Sequence, residues 1–231
     1  MSLIGDALRQ AAALLFGGDR EIWTILWLSL QVSGTATLVS LFLGIPAGTA
    51  IALSRFPGRT LVVSAVNTGM GLPPVVVGLF VTLFLWRGGP FGDLEILYTP
   101  AAIVIAQAVI ASPIVTGITL AAVQQVPREF RLQLLALGAS RPQMVWMVLR
   151  EARLPMLAAV MAGFGGIVSE IGASMMVGGN IKGQTRTLTT AMVLETGKGN
   201  FEIAIALSLL LLVLIFLVNW ALTAIQQRRA P

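Results

Sequence analysis

Cysteine and histidine are both missing from the 231 residues. Their absence excludes disulfides, thiolate nucleophiles, imidazole general bases and the usual sulfur and nitrogen metal ligands, so no metal site is expected. Charge is scarce too: 11% of the residues are Asp, Glu, Lys or Arg, and 56% are hydrophobic. Soluble domains carry roughly 25% charged residues. A water-facing globule of this size cannot be covered by so few charges, so lipid must form part of the solvent. A phosphate-cradling GxxxxGK[ST] loop is also lacking. Around Gly197-Lys198 the pattern fails at Met192, where glycine is required, and at Gly199, where a hydroxyl is required. No enzyme centre of these kinds is expected, and any ATP and magnesium must be bound by another chain.

What is present is five apolar stretches, near residues 22–54, 60–86, 100–124, 154–177 and 201–225. Crossing roughly 30 Å of hydrocarbon takes about 20 helical residues. The fifth stretch is the plainest, with AIALSLLLLVLIFLV over residues 204–218 free of charge. The two-residue alternation of a membrane β-barrel is absent. The expected fold class is therefore an all-α integral membrane protein of about five transmembrane helices, occupying residues 22–225. The second stretch contains TGMGLPPVVVG. Adjacent Pro73 and Pro74 remove backbone donors and clash with the preceding turn, which predicts a break there. The fourth, through AGFGGIVSEIGAS, is rich in small residues that let helix backbones approach closely, in a bundle centre or at a dimer interface.

The net charge of +5 acquires meaning from its placement. Arg55, Arg59, Arg128, Arg131, Arg141, Arg150, Arg153, Arg228 and Arg229 fall on one side of the spans, with Glu129 and Glu151. Arg9, Arg20, Arg87, Lys182, Arg186 and Lys198 fall on the other, with seven acids. The sides carry +7 and −1, and the positive-inside rule assigns the first to the cytoplasm. The basic excess thus reads as membrane topology and not as a nucleic-acid surface. The N-terminus is expected outside and the C-terminal tail, 226–231, inside. Residues 1–21 lack the basic leader and cleavage site of a signal peptide, and are expected to lie at the outer interface as an amphipathic segment.

The cytoplasmic connection at residues 126–153 is the most informative segment. Pro127 suits the start of a helix and Glu129 its positive end. Phe130, Leu134 and Leu137 form an i, i+4, i+7 apolar stripe. Gly138 then predicts a left-handed terminus. Ser140-Arg141-Pro142-Gln143 matches a capping box opening a second helix. The expectation is two short amphipathic helices meeting at a Gly138-Ala139-Ser140 corner. Such a pair suits either a partner protein that accepts the apolar stripe or an anionic lipid surface.

LALGAS at 135–140, followed by Leu154-Pro155, resembles the coupling loop of ABC importer permeases. Leu132, Gln133 and Leu134 stand where that family has Glu-Ala-Ala, and the Leu-Pro falls later than usual. Residues 169–201, SEIGASMMVGGNIKGQTRTLTTAMVLETGKGNF, resemble the tungstate-specific subgroup of the molybdate, sulfate and tungstate permeases. The resemblance implies a type I importer permease (MetI-like) fold in a bacterial or archaeal cytoplasmic membrane. It also implies two copies of the chain and two ABC ATPase subunits carrying ATP and magnesium. Phe130, Leu134, Leu137, Gly138, Ala139, Ser140 and Arg141 would receive the ATPases, and an extracytoplasmic protein would deliver the oxyanion.

Pathway candidates follow from position and chemistry. Glu170 is the ionisable residue deep in a predicted span; it suits pairing with backbone donors or an arginine, or the repulsion of leaking anions. The external loop, 178–200, offers glycine-rich turns with Asn180, Thr185, Arg186 and Thr187 as donors to an oxyanion, or serves to dock the binding protein. Its run 188–194 is apolar enough to dip into the membrane. Met175 and Met176 suit an apolar constriction that excludes water, or ordinary packing. Within the resembled family the alternative is a molybdate or sulfate permease, and an ion-coupled secondary transporter with broken helices is the alternative of another class.

Overall fold

The computed structural model describes Gly5, Arg9 and residues 20–227. Apart from Gly5 and Arg9, the expected interfacial segment up to residue 19 lies outside the described residues, as do Arg228 and Arg229 of the tail. Ten α-helices follow one another in the continuous part: α1 Arg20–Leu53, α2 Arg59–Met70, α3 Pro74–Leu85, α4 Pro100–Gln125 and α5 Arg128–Ala136 come first. Then come α6 Arg141–Glu151, α7 Arg153–Val168, α8 Gly172–Gly178, α9 Leu188–Gly197 and α10 Phe201–Gln227. The described residues contain no strand. Among the described residues, helices α1, α4 and α10 are each long and apolar enough to cross a membrane alone, and two bent pairs, α2–α3 and α6–α7, raise the number to as many as five if each pair counts as one span. The chain is a multi-pass integral membrane protein.

Helix α4 is the axis. Ala102, Ile103, Ala106, Ile110 and Ala111 are buried against Val32 and Ala36 of α1, Val77 and Val81 of α3, Ile167 of α7 and Ala173 and Val177 of α8. Within lipid, association depends on close packing and not on escape from water. The α1–α4 contact shows how close: a Cβ on Gly44 would sit 2.7 Å from Val115 Cγ1, and one on Gly48 2.5 Å from the Thr116 carbonyl oxygen. Buried hydroxyls of α1, such as that of Ser40, bond to the carbonyl one turn earlier. Ser40 donates to the Ala36 carbonyl (2.8 Å) and reaches the Ala108 carbonyl across the interface (3.3 Å).

Both irregular spans have identifiable causes. The second breaks where Pro73 and Pro74 predict it, and its halves meet at 99°. Each half has a different partner: a Cβ on Gly69 of α2 would lie 2.8 Å from Pro113 of α4, and one on Gly78 of α3 2.7 Å from the Ala173 Cα of α8. The fourth span, expected as one helix over 154–177, is instead interrupted at residues 169–171 and continues as α8. Glycines 165, 166 and 172 give poor helix propensity there. Side chains from elsewhere take up the freed backbone groups, and no periodicity announces that arrangement.

Candidate functional site

Two places carry chemistry, and α7 joins them. The first is the α5–α6 corner. Helix α5 ends in a Schellman turn: Gly138 adopts φ +85°, its N–H donates to the Leu135 carbonyl (3.0 Å), and the Ala139 N–H donates to the Leu134 carbonyl (3.0 Å). The Ser140 N–H then donates to Gln143 Oε1 (2.8 Å), the reciprocal arm of the predicted capping box. The pair is anchored on the ends of α1 and α4, where Val148 and Ala152 are buried with Ala122, Val123 and Val126.

The apolar stripe divides on this anchor. Phe130 packs into that cluster and Leu134 is half-buried, so neither presents a free face as the spacing alone suggested. A helix whose Phe130 side is drawn onto the Val123–Val126 end of α4 must turn its other side outward. Leu137 remains 85% exposed, joined by Leu132, Leu135 and, from α6, Trp146 at 66%. Leu137, Gly138, Ala139, Pro142, Gln143 and Trp146 line a shallow groove of about 640 Å³. Ser140 and Arg141 are exposed beside it. Trp146 was missed in the sequence because it lies within the apolar run 144–149 but off the Met144–Val148 face, and a run without polar interruption does not show which of its members turns outward.

The second place is the break between α7 and α8. The Ile167 carbonyl accepts from Gln107 Nε2 of α4 (3.0 Å) and from the Glu170 N–H (3.1 Å). Glu170 Oε1 accepts from the Ala173 N–H (3.0 Å), capping α8, while the Glu170 carbonyl accepts from Thr189 Oγ1 (3.2 Å). Glu170 therefore pairs with a backbone donor. Gln107 and Thr189 are buried partners that were not among the candidates. Met175 and Met176 are half-buried on α8, where a Cβ on Gly78 would meet Met176 Sδ at 3.2 Å. Replacing Glu170 with glutamine keeps the acceptor and is expected to leave thermal stability within about 0.5 kcal/mol. Glu170→Ala removes the cap at about 1 kcal/mol, read as a lower melting temperature in detergent.

The external loop is tied to this junction. Thr185 and Thr187 are buried, against the expectation that they offer free donors. Thr185 Oγ1 donates to the Gly178 carbonyl and accepts from the Ile181 N–H (2.9 Å). Thr187 caps α9, and its N–H donates to Thr190 Oγ1 (2.9 Å). Their hydroxyls hold the loop because a turn buried this deeply must satisfy its own backbone. Asn180, at φ +51°, donates to the Thr190 carbonyl (3.3 Å), and Arg186 lies 3.4 Å from Glu21. The run 188–194 forms the first part of α9, with Leu188 and Ala191 buried against Ile25, Phe164 and Leu207. At the far end of α9, Asn200 and Lys198 donate to Glu195 (2.7 Å each) and hold its carboxyl below the usual carboxylate range.

Residues 41–231 match the family of binding-protein-dependent transport system inner membrane components. The chain belongs to that family. A probable anion ABC transporter permease from Haloferax volcanii is 42% identical to it over 88% of this chain and 89% of the relative. A tungstate uptake system permease, TupB, from Peptoclostridium acidaminophilum is 36% identical over 98% and 100%. The fold agrees: the MetNI methionine ABC transporter in an inward-facing form matches 93% of this family member and 100% of the matched chain. Its TM-score is 0.75 at 19% identity. The MetI-like helical fold expected from the sequence is the one observed.

Proposed function

We propose that the chain is the membrane permease of an ATP-driven importer and that its cargo is tungstate. The observation that carries this reading is the likeness to the P. acidaminophilum tungstate permease across the whole of that relative. The permease hydrolyses no ATP itself; two ATPase subunits carrying ATP and magnesium do so at the cytoplasmic face of the inner membrane. Two copies of the chain flank the pathway, and an extracytoplasmic protein delivers the oxyanion. The N-terminus lies outside and the α5–α6 corner inside.

The geometry supports a lever. Leu137 and Trp146 give an ATPase subunit an apolar purchase on the corner. Helix α6 meets α7 at 68° through Ala152. Sixteen residues of α7 carry a displacement roughly 24 Å to the break at 169–171. There the backbone is held by Gln107, Glu170 and Thr189 and not by helix continuity, so it yields before either rod does. Helices α3 and α8 move with it because Gly78 and Ala173 touch. Met175 and Met176 ride on α8 as an apolar closure, with Asn180 and Arg186 above them and Thr185 and Thr187 fixing that rim. Glu170 beside the break opposes anion leak.

The test is reconstitution of the permease with its ATPase and binding protein in vesicles. ATP-dependent tungstate uptake is expected, with excess molybdate or sulfate competing weakly. Uptake driven by an ion gradient and indifferent to nucleotide overturns the reading in favour of a secondary transporter. Equal competition by molybdate or sulfate overturns the choice of ion alone.

A further inference from the structure

A cavity of about 460 Å³ opens at the same end of the molecule as the α5–α6 corner but on a different face from the Leu137–Trp146 groove. Its walls are the end of α1 and the turn after it (Ala52, Leu53, Ser54, Arg55), Arg59 at the start of α2, Arg128, Arg131 and Leu132 of α5, and Met144 of α6. Four arginines thus line the cavity, with no acidic residue among its walls. None of the four forms an ion pair among the described residues. Arg59 Nε donates to the Ile51 carbonyl (3.0 Å), covering the negative end of α1 and leaving its terminal N–H groups free. Arg131 Nε is buried and has no hydrogen-bond partner.

Holding four like charges together with an unsatisfied buried donor is unfavourable unless an anion completes the site. Guanidinium forks match the oxygens of a tetrahedral oxyanion, which accept paired hydrogen bonds. We propose that this cavity binds a phosphate-type anion, which clamps the α1–α2 turn to α5 and so fixes the coupling corner against the spans. The volume admits the group with part of its hydration or with an attached glycerol. A free inorganic anion and an anionic lipid headgroup offer the same chemistry, and the position at the ends of α1 and α2 is open to either. The proposal is independent of the transported ion.

The experiment uses the purified full-length chain, delipidated in an uncharged detergent without nucleotide. Melting temperature is measured with inorganic phosphate against chloride of equal ionic strength, and separately with phosphatidylglycerol against phosphatidylcholine. A rise of about 2–4 °C is expected with the anion, absent in Arg128→Gln/Arg131→Gln. If that variant does not fold, Arg55→Gln, whose side chain is exposed, is expected to halve the rise or more. A shift with phosphate identifies a free anion as sufficient, and a shift with phosphatidylglycerol alone identifies the headgroup. No shift with either, or equal shifts in wild type and variants, overturns the proposal.

Discussion

Replacing Leu137 with aspartate is expected to lower recovery of the ATPase subunit on pull-down about 30-fold, while the melting temperature of the isolated permease stays within about 1 °C. Leu137 is 85% exposed at the tip of the corner and makes no core contact that the change could damage. A buried interface anchor is worth about 2 kcal/mol or more, which sets the fold-change, and a desolvated carboxylate adds to it. Phe130→Asp supplies the contrast. Phe130 packs against the cluster that contains Val126 and Val148, so aspartate there is expected to destabilise the permease itself before it affects any partner. Unaltered recovery with Leu137→Asp would remove the corner from the ATPase interface.

Gly48→Val is expected to produce the largest loss of stability. A Cβ at this position would lie 2.5 Å from the Thr116 carbonyl oxygen and 3.0 Å from the Leu120 nitrogen. Both are backbone atoms of a helix and cannot rotate away, so α1 and α4 must separate. Overpacking typically costs about 1–3 kcal/mol, and the backbone obstacle puts this case at the upper end. The expected fall in melting temperature is about 6–12 °C. Gly34→Val is the control, because nothing lies within 4 Å of a Cβ there. Equal losses at the two positions would mean that helix propensity and not the α1–α4 contact is responsible.

Much of the coupling corner was legible because its signals are local. A left-handed glycine at 138 and the Ser140–Gln143 arm depend on neighbours within a few residues, and both stand where the sequence puts them. Which face of α5 looks outward was not legible. Phe130 and Leu137 share one helical stripe in the sequence, yet packing at the end of α4 draws the first partly into a core cluster and leaves the second exposed. The junction at residues 169–171 was hidden for a related reason. Its stability comes from Gln107, about 60 positions earlier, and from Thr189, about 20 later. Thr185 and Thr187 look like available donors in the sequence because a hydroxyl written as a letter carries no record of what it already holds.

By itself the sequence determined that this protein lives in a membrane, that it is helical, where Pro73 and Pro74 interrupt one of its spans, and how the corner at Gly138 is turned. Each of these follows from transfer free energy or from dihedral limits acting over one helix length or less. Only the tertiary structure decided the 99° angle between α2 and α3, the interruption of the fourth span and the gathering of four arginines around one cavity. Those depend on which glycines let two backbones touch and which distant side chains replace a lost helical hydrogen bond. Close approach and hydrogen-bond exchange are properties of pairs of segments, and no single segment contains them.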